Sequence, residues 1–208
     1  MTALVALALF GVVLLLVSTS WTPLHTLDHD VAKNLNSTVA PSPHAVDFWK
    51  AVSTIGQPLT FQAIAVLAGV LLWRKGYARL GLFVVLTVLG GGALGTIVKL
   101  LVARPRPVVQ IPLIHPSGLS FPSGHALSSF VGMAVLVVLG WSIWRARRAV
   151  LVVVGVVVVT AVGFSRLALG AHYVSDIAGA WFLGLAWLST MWVLFALSSG
   201  RGPSTQRR

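Results

Sequence analysis

Neither cysteine nor glutamate occurs anywhere in the 208 residues. The first absence excludes disulfides and thiolate metal sites. The second leaves Asp28, Asp30, Asp47 and Asp176 as the only acids. A two-metal hydrolase needs several carboxylates to bridge its ions, so metal-dependent hydrolysis is disfavoured and no metal site is expected. Charge of any kind is scarce: charged residues make up 9% of the chain and hydrophobic residues 57%, whereas a soluble domain has about 25% charged residues. An integral membrane protein is indicated.

What charge remains is basic, with a net +11. A basic balance often signals nucleic acid or an anionic surface. Here the cations lie in small groups between apolar runs, the layout that sets membrane orientation, so nucleic acid is not an expected partner. Apolar runs suited to membrane helices of roughly 20 residues fall at about 3–18, 55–73, 80–101, 123–144, 149–164 and 173–197. The first lacks a preceding cation and a following Ala-x-Ala site, and reads as a retained helix rather than a signal peptide. The valine-rich fifth has no alternation and reads as helix. Gly90-Gly91-Gly92 in the third would admit a close neighbouring helix. Between the first two runs, 19–54 forms an outer connection in which Leu24, Leu27, Val31 and Leu35 recur at near-helical spacing, as in an amphipathic interfacial segment. A polar tail occupies 198–208. The expected fold is all-α: one domain, an integral membrane bundle of six transmembrane helices.

One side of this bundle carries Arg74, Lys75, Arg79, Arg145, Arg147, Arg148, Arg201, Arg207 and Arg208. The other carries Lys33, Lys50, Lys99, Arg104, Arg106 and Arg166. The last four belong to, or adjoin, three polar motifs. With these set aside the bias makes the first side, and the C-terminus, cytoplasmic. The four aspartates and all six histidines then face outward.

The motifs are Lys99 to Pro107 with Arg106, Pro122-Ser123-Gly124-His125, and Ser165-Arg166 with His172 and Asp176. A charged residue beside a membrane span is costly and marks a functional candidate. The span order brings all three motifs to one outer face. Lys99, Arg106 and Arg166 suit a phosphate, the arginines through a planar fork of donors. Ser123 and Gly124 open a helix, where free N–H groups favour an anion. His172 and Asp176 stand four apart on one helix face. The carboxylate fixes the ring tautomer and frees the other nitrogen to attack. His125 can protonate the departing oxygen as a general acid. His25, His29 and His44 read as ordinary interfacial groups, and His115 as a lesser candidate for substrate contact.

Lys-x6-Arg-Pro, Pro-Ser-Gly-His and Ser-Arg-x5-His-x3-Asp, in this order over 99–176, resemble the three signatures of the type 2 phosphatidic acid phosphatase (PAP2) superfamily. The compact size is similar to its bacterial phosphatidylglycerophosphatase B and undecaprenyl-diphosphate phosphatase type. The resemblance implies a lipid phosphate substrate met in the bacterial plasma membrane. It implies no cofactor or metal, a phosphohistidine on His172, His125 serving first as acid and then assisting water, and a supporting Ser165. Three other readings compete. A lipid phosphotransferase would pass the phosphoryl group to an acceptor other than water. A vanadate-dependent haloperoxidase uses a similar anion pocket, and six apolar spans count against it. A non-enzymatic binder or transporter of anionic lipid would usually show paired repeats or broken spans, which this sequence lacks.

Overall fold

The computed structural model describes residues 1–197; the expected tail at 198–208 lies outside them. Those residues form eight α-helices and one 3-10 turn, with no strand among them. Helix α1 (Thr2–Ser18) is apolar on every side. Its Phe10 enters the main core and stacks on Phe121, ring centroids 6.0 Å apart. A break at residues 19–21, with Ser20 at φ 50°, turns the chain by 85° into α2 (Thr22–Val39). The buried residues of α2 are Asp28, Ala32, Asn36 and Val39, spaced to form one helix face. That face lies against the bundle rather than in lipid. Helix α3 (Pro43–Ile55) begins with Pro43 in its first turn and Ser42 as N-cap, the Ser42 hydroxyl accepting from Ala45 N–H at 3.3 Å.

Helix α4 (Pro58–Arg74) follows a two-residue break, and α5 (Ala78–Val102) returns antiparallel to it. After a long loop come α6 (Gly124–Ile143), the 3-10 turn Arg145–Arg147, α7 (Arg148–Ala168) and α8 (Val174–Leu197). Five stretches are long and apolar enough to cross a membrane: Pro43–Arg74, Ala78–Val102, Gly124–Trp141, Arg145–Ala168 and Val174–Leu197. Helices α1 and α2 pass the same test only when taken together across their 85° bend, so the count reaches six where that bent pair is one span. The triglycine segment does admit a close neighbour: a Cβ on Gly90 would stand 2.6 Å from the Trp187 ring of α8. The valine-rich run is helical throughout α7.

Two boundaries differ from those expected. The connection at 19–54 contains two helices, and the second runs on with α4 as one apolar stretch of 32 residues. Helix α7 continues four residues past 164, to Ala168. Counting apolar residues stops it at Arg166, but that side chain is buried and donates to the Ser53 hydroxyl of α3, so the helix passes through it.

Candidate active site

The C-termini of α5 and α7 and the N-termini of α6 and α8 share one end of the bundle. Alanine 103, at φ 50°, closes α5 in the left-handed region and redirects the chain into the loop that reaches Ser123. This loop is fastened from below. Lys99 donates to the carbonyls of Leu119 (2.9 Å), Ser120 (3.3 Å) and Pro122 (2.8 Å), which engages all three ammonium protons. Ser123 caps α6 through its side chain, accepting from Ala126 N–H, and its own N–H donates to the Asp176 backbone carbonyl at 3.2 Å. That bond sets the start of α6 beside the start of α8.

A cavity of about 390 Å³ opens here, lined by Lys99, Arg106, Gly124, His125, Arg166 and His172 with the loop residues 114–117. The fold thus gathers six of the eight expected site residues on one wall. The other two lie behind it: Ser123 and Asp176 are both fully buried. His115 also lines the cavity. Ser165 does not, and its hydroxyl donates to the Val162 carbonyl one turn back at 2.7 Å.

Asp176 is the hub. Its Oδ2 accepts from His172 Nδ1 at 3.2 Å, from Tyr173 N–H at 2.9 Å and from the Ser120 hydroxyl. Its Oδ1 accepts from Arg104 at 2.7 Å. A carboxylate is an acceptor only, so His172 carries its proton on Nδ1 and presents an Nε2 lone pair. Arg106 meets that nitrogen at 3.1 Å and donates to the carbonyls of Ala171, Ser117 and Gly118 at 2.8 to 3.0 Å. His172 is 2% exposed. Burial lowers its pKa from 6.5 to about 4, with Arg106 and Arg166 acting in the same sense and Asp176 opposing. The ring is therefore neutral near pH 7, the form in which an imidazole attacks. Arg104 moves the other way: burial would lower its pKa, but Asp176 and Asp28 hold it above the ordinary value.

Arg166 differs from the other two cations. It is buried, yet its Nε has no hydrogen-bond partner. Arg166 lines the cavity, and an arginine there that keeps a buried donor unpaired is a candidate anion contact.

Four contributors lie outside the sequence motifs. Arg104 reads in the sequence only as a basic group beside a motif. Ser120, Asp28 and Ser53 belong to no pattern, and only their burial as polar groups singles them out. His29, which reads as an ordinary interfacial group, meets the Tyr173 hydroxyl at 3.2 Å.

Comparison with known proteins matches residues 80–199 to the model of the PAP2 superfamily. Phosphatidylglycerophosphatase B of Bacillus subtilis is 31% identical over 121 residues, 57% of this chain and 58% of that protein. Decaprenylphosphoryl-5-phosphoribose phosphatase of Mycobacterium tuberculosis is 37% identical over 95 residues, 44% of this chain and 48% of the relative. An undecaprenyl-diphosphatase of Sulfolobus acidocaldarius is 28% identical over 126 residues, 57% and 56% of the two chains. The aligned stretches thus span about half the length of these relatives. The fold matches more widely. The crystal structure of a transmembrane PAP2-type phosphatidylglycerolphosphate phosphatase from Bacillus subtilis superposes with a TM-score of 0.81, covering 95% of this chain and 97% of that one at 22% identity.

Proposed function

The chain belongs to the PAP2 superfamily, and from that premise we propose that it hydrolyses a phosphate monoester or diphosphate of a membrane lipid through a phosphohistidine on His172. The observation that carries this reading is the single cavity in which both imidazoles meet three cations, with one imidazole held by a buried carboxylate.

The phosphate sits among Arg166, Arg106, Lys99 and the N-terminus of α6, where Gly124 leaves the backbone open to phosphate oxygens. Arg106 moves its NH1 from His172 Nε2 onto a phosphate oxygen. The freed lone pair attacks phosphorus, and the P–N bond forms as the ester P–O bond breaks. Asp176 steadies the positive charge that grows on the ring. His125, protonated beside the bound phosphate, gives its proton to the leaving oxygen. Neutral His125 then takes a proton from water as that water attacks the phosphohistidine, releasing inorganic phosphate and restoring His172. The cations surround the developing negative charge, the usual means of lowering a phosphoryl-transfer barrier. They supply the positive charge that a divalent metal would otherwise bring, so the proposed route calls for none.

The lipid's tails stay in the bilayer while its phosphate enters from the membrane edge. The names of these relatives cover a glycerophospholipid and two polyprenyl lipids, and a phosphate carried on a membrane lipid is what they share. The site lies at the end opposite Arg74, Lys75, Arg145, Arg147 and Arg148, and under the positive-inside rule this layout supports a site on the outer face of a bacterial plasma membrane.

The test is phosphate release by the purified protein in detergent from a panel of lipid monophosphates and diphosphates at equal surface concentration. Release is expected to persist in EDTA and to vanish in His172→Ala. Full activity of His172→Ala removes the nucleophile from the scheme, and activity lost to EDTA but restored by magnesium removes the metal-free route.

A further inference from the structure

We infer that Asp28, on the amphipathic helix α2, is a positioning residue for the His172–Asp176 pair, acting through Arg104 and Ser175. The inference rests on the reading of His172 as nucleophile and deepens it, because it names what aims the carboxylate behind that ring. Asp28 sits in no motif, yet it is 0% exposed and both its oxygens are engaged. Oδ1 accepts from the Ser175 backbone N–H at 3.0 Å. Oδ2 accepts from Arg104 NH2 at 2.8 Å and from the Ser175 hydroxyl. The second arm of the guanidinium, NH1, reaches Asp176 Oδ1 at 2.7 Å and Ser175 Oγ at 2.7 Å. One arginine is therefore shared between two carboxylates, and only one of them touches the imidazole.

The sharing has a geometric consequence. An arginine facing a single carboxylate tends to bind both its oxygens with a parallel pair of N–H donors. Asp28 holds one arm of Arg104, so Arg104 reaches only Oδ1 of Asp176. Oδ2 is left to His172, Tyr173 and Ser120. Without Asp28, the free arm would compete with the ring for Oδ2, and the arginine's charge would bear on Asp176 alone. The guanidinium is held in this pose from its face as well, lying 4.2 Å from the centroid of the Tyr173 ring.

The same face of α2 carries a second fastener two turns on. The Asn36 amide donates to the Ile111 carbonyl at 2.8 Å and accepts from the Ile111 N–H at 3.1 Å. This pins the loop that carries Arg106 and Ser120. A helix whose sequence reads as an amphipathic interfacial segment is tied by one residue to the catalytic carboxylate and by another to the catalytic loop.

The experiment compares full-length wild type, Asp28→Asn, Arg104→Gln, the double variant and Asp30→Asn, a change on the exposed side of α2. Phosphate release is measured from phosphatidic acid and from a polyprenyl diphosphate in mixed micelles. Outer-layer partners of a catalytic group are commonly worth about 10- to 100-fold. Asp28→Asn is expected to lower kcat by about that factor with KM moved less than about twofold, while Asp30→Asn stays at the wild-type value. Because Asp28 acts through Arg104, adding Asp28→Asn to Arg104→Gln costs little more.

Three results overturn the inference: a kcat for Asp28→Asn within twofold of wild type, a rise in KM at constant kcat, or a full multiplicative loss on the Arg104→Gln background. If Asp28→Asn alone does not fold because it leaves a buried charge unpaired, the double variant decides. Equality with Arg104→Gln supports the inference, and further loss overturns it. A wild type that releases no phosphate from any substrate strikes the functional reading itself and takes the inference with it. An active wild type with an unaffected Asp28→Asn strikes the inference alone.

Discussion

Three cations surround one cavity, and their hydrogen bonds give them different work. The ammonium protons of Lys99 are all engaged by loop carbonyls, and Arg106 holds three carbonyls and the His172 ring. Arg166 alone keeps a buried donor without a partner. Under the proposed function, Lys99 and Arg106 shape the cavity as well as contributing charge, Arg106 exchanging the His172 ring for a phosphate oxygen, whereas Arg166 has a donor with no partner to give up. Arg166→Gln is expected to lower kcat/KM by about 100-fold, comparable to removing one donor from a preorganised oxyanion site, with a smaller loss of thermal stability than Lys99→Met, because only the bond to the Ser53 hydroxyl is given up. Lys99→Met, which abandons three carbonyls in the loop, is expected to lower activity and melting temperature together. Steady-state kinetics beside thermal unfolding of both variants in detergent separates the two roles. An unstable Arg166→Gln, or a fully stable Lys99→Met, reverses the assignment.

At the scale of elements, the bundle relies on close approach where backbone faces large side chains. The Trp187 indole lies over Gly90 and Gly91 of α5 and donates to the Thr87 carbonyl at 2.7 Å. A Cβ at position 90 would meet the rigid indole at 2.6 Å, so the helices must separate to admit one. Overpacking of this kind costs about 1–3 kcal/mol, and Gly90→Val is expected to lower the unfolding temperature measurably. The sequence announces this contact in part: three consecutive glycines in an apolar run indicate a crowded face, but not that a tryptophan fills it. The same holds for α2. Its periodic leucines indicate a helix with one apolar face, whereas its packing face is the one with Asp28 and Asn36. Periodicity records which side is apolar, and here a buried polar network outweighs it.

At the scale of the whole molecule, the end bearing the cavity and the end bearing Arg74, Lys75 and Arg145 to Arg148 must lie on opposite sides of a bilayer. The natural absence of cysteine gives a clean background for testing which is outside. In intact cells, Ser117→Cys is expected to react with a membrane-impermeant maleimide, and Lys75→Cys only after permeabilisation; the opposite pattern inverts the protein. Residue types, their spacing and the length of the apolar runs settled much from the sequence alone: an all-helical membrane chain with three polar motifs at its helix ends. These are local properties, readable within a few turns of one helix. The tertiary structure decided the partners. It chose Arg104 rather than Arg106 to grip Asp176, supplied Ser120 from the loop, and brought in Asp28 from a helix whose motif content is nil. Such pairings arise because a polar group removed from water must find a complement among whatever the packing sets beside it, and that neighbourhood exists only once the helices are assembled.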